Sequence, residues 1–393
     1  MEFTCTAGDV TCLIGALTQA NSNGVATTLT LEAGTYTFTE VNDTTGGPNG
    51  LPSVTGVVIL QGAGANTTIL EREASTPDFR LVQVAATGAL TLEGLTMRGD
   101  RFSPGEGAGL FNGGTLSLSR TTVADNFGGL GGGRVNRGGT VTMAGTTFVH
   151  NLAGCDGGGA VNDRGTLIIT DTTFASNTSE GAGALHNRSG TVILTNTALV
   201  DNQGDSSGGI LNGSGAVVLT TSTIARNFSP ALSGGGLANG AGGTAILTNT
   251  TVADNTAFSR RGGLDNAGGQ LVVLNTIVAR NTGGPGAKPV ECTGQVTSLG
   301  TNLIGDPTGC TITLLPTDLT GDPGLGDFTD NGTPGNGHVP LLPSSPAIDA
   351  GNDAFCPPTD QLGQPWVGRC DIGAIEFQGG DPAAASRSPR GHR

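Results

Sequence analysis

Residues 183–202, GALHNRSGTVILTNTALVDN, and residues 208–227, GGILNGSGAVVLTTSTIARN, are one pattern written twice. Each begins with a Gly-rich apolar segment closed by Asn and continues with a Thr-rich segment closed by a second Asn. Across residues 105–284 the pattern returns every 24 to 28 residues. The first column of asparagines is Asn112, Asn136, Asn162, Asn187, Asn212, Asn239 and Asn266; the second is Asn126, Asn151, Asn177, Asn202, Asn227, Asn255 and Asn281. A fixed period in this range is the signature of a solenoid. Segments such as 116–118 and 217–219 alternate or run β-branched, which excludes helical repeats.

One coil of strands is too small to bury its own apolar side, but coils can stack about 4.8 Å apart and bury it jointly. The fold expected is therefore all-β, a right-handed parallel β-helix of the pectate-lyase kind. Val123, Phe148, Phe174, Leu199, Ile224, Val252 and Val278 should form one inward stack, and Leu110, Ala160, Leu185, Ile210, Leu237 and Leu264 another. Arg134 falls in the second column, so either the bend slips there or an arginine enters the core. The asparagines suit the bends, because Asn tolerates left-handed backbone and its amide can bond the equivalent Asn one coil away. They are read as an asparagine ladder with a structural role.

The open ends of such a helix need covers. Asp9 can cap a short N-terminal helix carrying Leu13, Ile14 and Leu17, placed as a plug. The organisation expected is an N-terminal cap with first strands over 1–40, irregular coils over 41–104, regular coils over 105–284, an irregular C-terminal cap over 285–377 and a loose tail over 378–393.

Composition supports an ordered polar chain. The 393 residues include 69 Gly, with 13% charged, 36% hydrophobic and 4% aromatic residues, too apolar and too weakly charged for disorder. A net charge of −14, with Lys288 the single lysine and the arginines scattered, argues against nucleic acid or an anionic membrane as partner. No stretch approaches the roughly 20 apolar residues that span a bilayer. The opening MEFTCTAG lacks the apolar core of a signal peptide, so an export signal is expected to have been removed or to lie outside this sequence.

Seven cysteines fit an oxidising compartment. They form close pairs, Cys5 with Cys12, Cys292 with Cys310 and Cys356 with Cys370, read as disulfides that pin the ends, with Cys155 left over. Secretion or surface display is the localisation expected.

The C-terminal third carries NLIGD (302–306), GDPGLGDFTDNGTP (321–334), His338, LLPSSPAIDAGN (341–352) and DIGAIEF (371–377). With the opening stretch 12–38, these segments resemble bacterial secreted proteins with a choice-of-anchor Q region. The coils are also similar to the repeats of polymorphic membrane proteins, which are surface adhesins. The first resemblance implies secretion and display on a β-helix, and the second an adhesive role.

Residues one period apart lie on one face of such a solenoid. The position after the first-column Asn is Arg137, Asp163 and Arg188 in three successive coils, with Arg164 and His186 beside them. One reading is a polysaccharide subsite in which the arginines hold the carboxylates or sulfates of an acidic glycan and His186 moves a proton. The other is a ladder of opposite charges between neighbouring strands. A second polar column, Asp125, His150, Ser176, Asp201, Arg226, Asp254 and Arg280, reads as a solvated face. Cys155 and Asp156 sit on a Gly-rich bend, where a thiol without a demonstrated base is a weak nucleophile candidate. Phe111, Val135, Val161 and Leu211 form an outward apolar stripe that can dock a partner or be covered by loops. Asp322, Asp327 and Asp330 make calcium conceivable, but their Asp-Pro and Asn-Gly context favours turns, and no cofactor is expected.

Two classes of function follow. One is a non-catalytic, adhesin-like module that binds polysaccharide or a cell-surface glycan. The other is an enzyme on an acidic glycan, a lyase before a glycoside hydrolase, because hydrolysis needs two spaced carboxylates and the cluster contains only Asp163. The short coils, without Trp or Tyr in the regular region, favour binding.

Overall fold

The computed structural model describes residues 1–231, 234–259, 261–286 and 288–379. Its chain winds into a parallel β-solenoid of about twelve coils, with three sheets of 19, 12 and 9 strands along its length. The coil beginning at Leu185 shows the path. Strand Leu185–Thr195 runs through the first sheet, the chain bends at Asn196, Ala198–Val200 joins the second sheet, and after Asp201 Gln203–Gly204 joins the third. In-register stacking reaches back before the repeats, since Thr27–Leu31 pairs with Val57–Gln61, that strand with Ala89–Glu93, and that one with Thr115–Ser119.

Both predicted inward stacks are fully buried. The rings of Phe148 and Phe174 stack with centroids 4.9 Å apart. Arg134 takes its place between Leu110 and Ala160 without a slip in register, and its guanidinium is wholly buried. None of its three nitrogens has a hydrogen-bond partner among the described residues, and burial lowers its pKa to about 9.

The two asparagine columns are continuous ladders. Each Nδ2 donates to the Oδ1 one coil on, at 2.8–2.9 Å from Asn112 to Asn266 and 2.9–3.0 Å from Asn126 to Asn281. The ladder asparagines do not themselves supply the left-handed backbone expected of them. Positive φ falls on the residue before each second-column Asn, from Asp125 (56°) to Arg280 (60°), and on a bend column that includes Asp171, Asn196, Thr221 and Asn249. The neighbour turns the chain, which leaves each Asn free to aim inward at the next coil.

At the N-terminus, helix Val10–Ser22 is capped by Asp9, whose Oδ1 accepts from the Cys12 backbone N–H at 2.8 Å. Leu13 and Leu17 are buried in the core while Ile14 stays at its rim. Strand Glu2–Cys5, not foreseen, extends the first sheet beyond Thr27–Leu31. The disulfides are Cys5–Cys12, Cys292–Cys310 and Cys356–Cys370, and Cys155 is free and exposed.

The C-terminal region divides in two. Strands Cys292–Ser298 and Cys310–Ile312 close the core, with Cys292 and Val296 inside it. The segment that follows is a strap, folded back along the outer face of the second sheet, where Leu325, Val339, Leu341, Ala347 and Ile372 pack on Ala198, Ala225, Ala253 and Ile277. The expected tail lies outside the described residues from 380 onward.

Candidate functional site

Parallel pairing sets Arg137 opposite Asp163, as the spacing requires. Arg137 Nε lies 3.6 Å from Asp163 Oδ2, and its Nη2 donates to Glu106 Oε1 at 2.6 Å. Arg164 contacts Asp163 Oδ1 at 3.2 Å, and its side chain is otherwise 68% exposed. The third member departs from the expected column. The register shifts twice here: Arg188 is left unpaired between Asn187 and Ser189, which sets Asp163 opposite Ser189, and Arg164, at a left-handed φ of 63°, is left unpaired between Asp163 and Gly165, which restores the register.

Arg188 turns to Asp156, donating to Oδ2 at 2.6 Å, and His186 Nδ1 lies 3.2 Å from Asp156 Oδ1. One carboxylate thus faces both residues, bonded to Arg188 and only in close approach to His186, whose Nδ1 makes no well-aligned hydrogen bond among the described residues. Burial pushes the Asp156 carboxyl up, but His186 and Arg188 outweigh it and bring its pKa down to about 2. His186 is itself nearly buried, in register between Val161 and Leu211. The five predicted residues therefore form two linked groups, Glu106–Arg137–Asp163–Arg164 and Asp156–His186–Arg188.

Glu106 and Asp156 were not given roles by the sequence reading, although a signal existed. Glu106, Leu130 and Asp156 lie opposite one another in the third sheet, one coil apart, so the two acids belong to one column.

Of the stripe expected to be outward, Phe111 and Leu211 are half-buried, while Val135 and Val161 lie instead in an enclosed patch. Val135 and Val161 are fully buried with Leu130, and Phe111 packs on them. The cover is the Gly-rich return of the same coils: a Cβ on Gly131 would lie 2.4 Å from Val135 Cγ2, and one on Gly157 2.5 Å from Val161 Cγ2. Glycine is required there because backbone passes directly over the valines. Beside this patch Arg80 lies between the rings of Phe102 and Phe111, 5.0 and 4.9 Å from their centroids.

The second polar column is exposed at Asp125, His150, Asp201 and Arg226, but passes under the strap at Arg280, which donates to Leu325 O at 2.9 Å and Gly326 O at 3.2 Å. Asp201 with Arg226 and Asp254 with Arg280 make ion pairs, and His150 stands 3.7 Å from Asp125 with both side chains exposed. Asp322 and Asp330 accept from the backbone of Gly324 and Gly332, which makes them turn caps. No group of three or more metal-ligating side chains occurs among the described residues.

A sizeable cleft lies elsewhere. A groove of about 830 Å³ runs along the bend between the first and second sheets, floored by Arg120, Thr122, Gly145 and Thr147 and walled at one end by the strap tip, residues 332–336. It was not foreseen, because the strap that walls it is distant in sequence from its floor. No protein-family model and no curated protein matches the chain.

Proposed function

We propose that the protein is an extracellular β-helix that binds polysaccharide without cleaving it, in the manner of a surface adhesin. The observation that carries this reading is the state of the charged face. Arg137 and Arg188 are each held on a carboxylate and His186 faces Asp156, so the groups a lyase would need are committed to one another. Arg164, directed into solvent beside them, is the group able to take a carboxylate or sulfate of an acidic glycan. Three disulfides, and no helix long and apolar enough to cross a membrane among the described residues, suit an extracellular site. The resemblance to choice-of-anchor Q proteins points the same way, toward display outside the cell.

A lyase remains the second reading, favoured by the Asp156–His186 contact alone. A carboxylate that orients a histidine is what a general base requires. Two measurements on one sample decide between them: retention on immobilised polygalacturonate, and ultraviolet absorbance of an unsaturated product. Binding predicts retention that weakens as salt rises and in Arg164→Ala, with no absorbance change. Absorbance that grows with time and disappears in His186→Ala would establish the lyase.

A further inference from the structure

The strap shows how the outer face of the second sheet recognises what lies on it. One column of that sheet reads Thr96, Thr122, Thr147, Thr173, Ala198, Thr223, Thr251 in successive coils. The strap fastens to three of these hydroxyls. Thr173 Oγ1 accepts from the Gly335 backbone N–H at 2.8 Å, Thr223 Oγ1 donates to Gln361 Oε1 at 2.6 Å, and Thr251 Oγ1 accepts from the Ala374 backbone N–H at 3.0 Å. The column is therefore used in both directions, as donor and as acceptor.

The strap turns away at Gly335, which is pressed so close to the bend that a Cβ would lie 2.5 Å from Asn196 O. Beyond it the column continues through Thr147 and Thr122, which line the groove and make no side-chain hydrogen bond to the described residues. Arg120 on the same floor is neutralised by Glu93, and Asp171 accepts from Asn196 Nδ2 at 3.1 Å. The groove thus offers no unpaired cation: its one arginine is paired, and Asp171 keeps its negative charge.

These features select among occupants. The backbone N–H groups of Arg120, Gly145 and Asp171 are all committed to the next coil, so no sheet edge is offered to a peptide strand. A paired arginine and a charged Asp171 give no purchase to a polyanion. A polymer of neutral sugars has hydroxyls that both donate and accept, as the threonine column does, and a repeat able to follow coils spaced about 4.8 Å apart. We infer that the groove beside the strap tip seats an extended strand of neutral polysaccharide on Thr122 and Thr147, separate from the charged face at Arg164. The inference rests on the reading that the protein binds polysaccharide at all.

The test is affinity electrophoresis of the full chain in gels containing a neutral β-glucan, a galactomannan or polygalacturonate, using wild type, Arg164→Ala and the double variant Thr122→Val, Thr147→Val. Valine keeps the shape of threonine and removes the hydroxyl, and an unchanged denaturation midpoint shows that the fold is intact. The expected result is retention by a neutral polymer that falls about tenfold in the double variant, as for one or two lost hydrogen bonds, and is unchanged in Arg164→Ala. Neutral retention unaltered in the double variant would overturn the groove assignment. Retention on polygalacturonate alone, lost in Arg164→Ala, would overturn it too while leaving the charged face standing. Retention on none of the three would overturn both.

Discussion

Asn202 shows what the repeated residue does. Its Nδ2 donates to Asn227 Oδ1, Phe174 O and Val200 O, and its Oδ1 accepts from the backbone and side chain of Asn177. Asn202→Ala would strand several buried groups at once, with an expected loss of roughly 1 to 3 kcal/mol in a denaturant titration. Its neighbour Asp201 makes a solvent-exposed pair with Arg226 and holds a left-handed φ of 55°, so Asp201→Asn, which tolerates that turn and removes only the charge, should cost under about 1 kcal/mol. Arg134 is the opposite case, a buried cation without a partner in an apolar column. Arg134→Leu restores the pattern of its neighbours and is expected to raise stability by roughly 1 to 3 kcal/mol, read as a higher denaturation midpoint.

Among the elements, the strap depends on a few polar anchors set in an apolar strip. Gln361 is the densest of them. Its buried amide donates to Gly335 O at 2.7 Å and Gly337 O at 2.8 Å, while its Oε1 accepts from Thr223. Gln361→Ala leaves two carbonyls and a hydroxyl unpaired beneath the strap. Hydrogen exchange over residues 329–339 is expected to speed up, while exchange in the coils around Asn177 and Asn202 stays unchanged, because the ladder makes no use of the strap. Equal acceleration in both regions would show that the strap and the coils unfold as one unit.

For the whole molecule, the pattern of buried acids predicts an unusual response to pH. The second ladder ends in acids on both sides. Asp100 donates its backbone N–H to Asn126 Oδ1, and Asn281 Nδ2 donates to Glu291 Oε2 at 2.8 Å. Burial raises the pKa of both, Glu291 to about 7, and burial also raises Asp360, Asp371 and Glu376 within the strap. A carboxyl whose native pKa lies above its unfolded value makes the native state the better proton binder. Its contribution is full at or below the unfolded pKa and is lost as pH rises toward the native one. The denaturation midpoint is therefore expected to rise as pH falls from 8 to 5. Glu291 alone contributes at most on the order of 3 kcal/mol, and Glu291→Gln should flatten the slope. Asp156 works in the other direction, but its depressed pKa confines its effect to more acid solution, below the usual carboxylate range.

The period of 24 to 28 residues was enough to specify the parallel coils, both inward stacks and both ladders, because every coil repeats the same local choice and stacking admits one register. The disulfide pairs were legible too, since partners are close in sequence and lie in the irregular ends. The charged cluster was legible only in part. Spacing brought Arg137 to Asp163, but the bulge at Arg188 that takes it out of the column and to Asp156 is a local backbone event with no periodic trace. Tertiary structure alone decided that Val135 and Val161 are covered, because their cover is glycine backbone without a hydrophobic signal of its own. It alone decided the strap and its groove as well, for Gly335 meets Thr173 across 162 residues and no repeat links two segments that differ in kind.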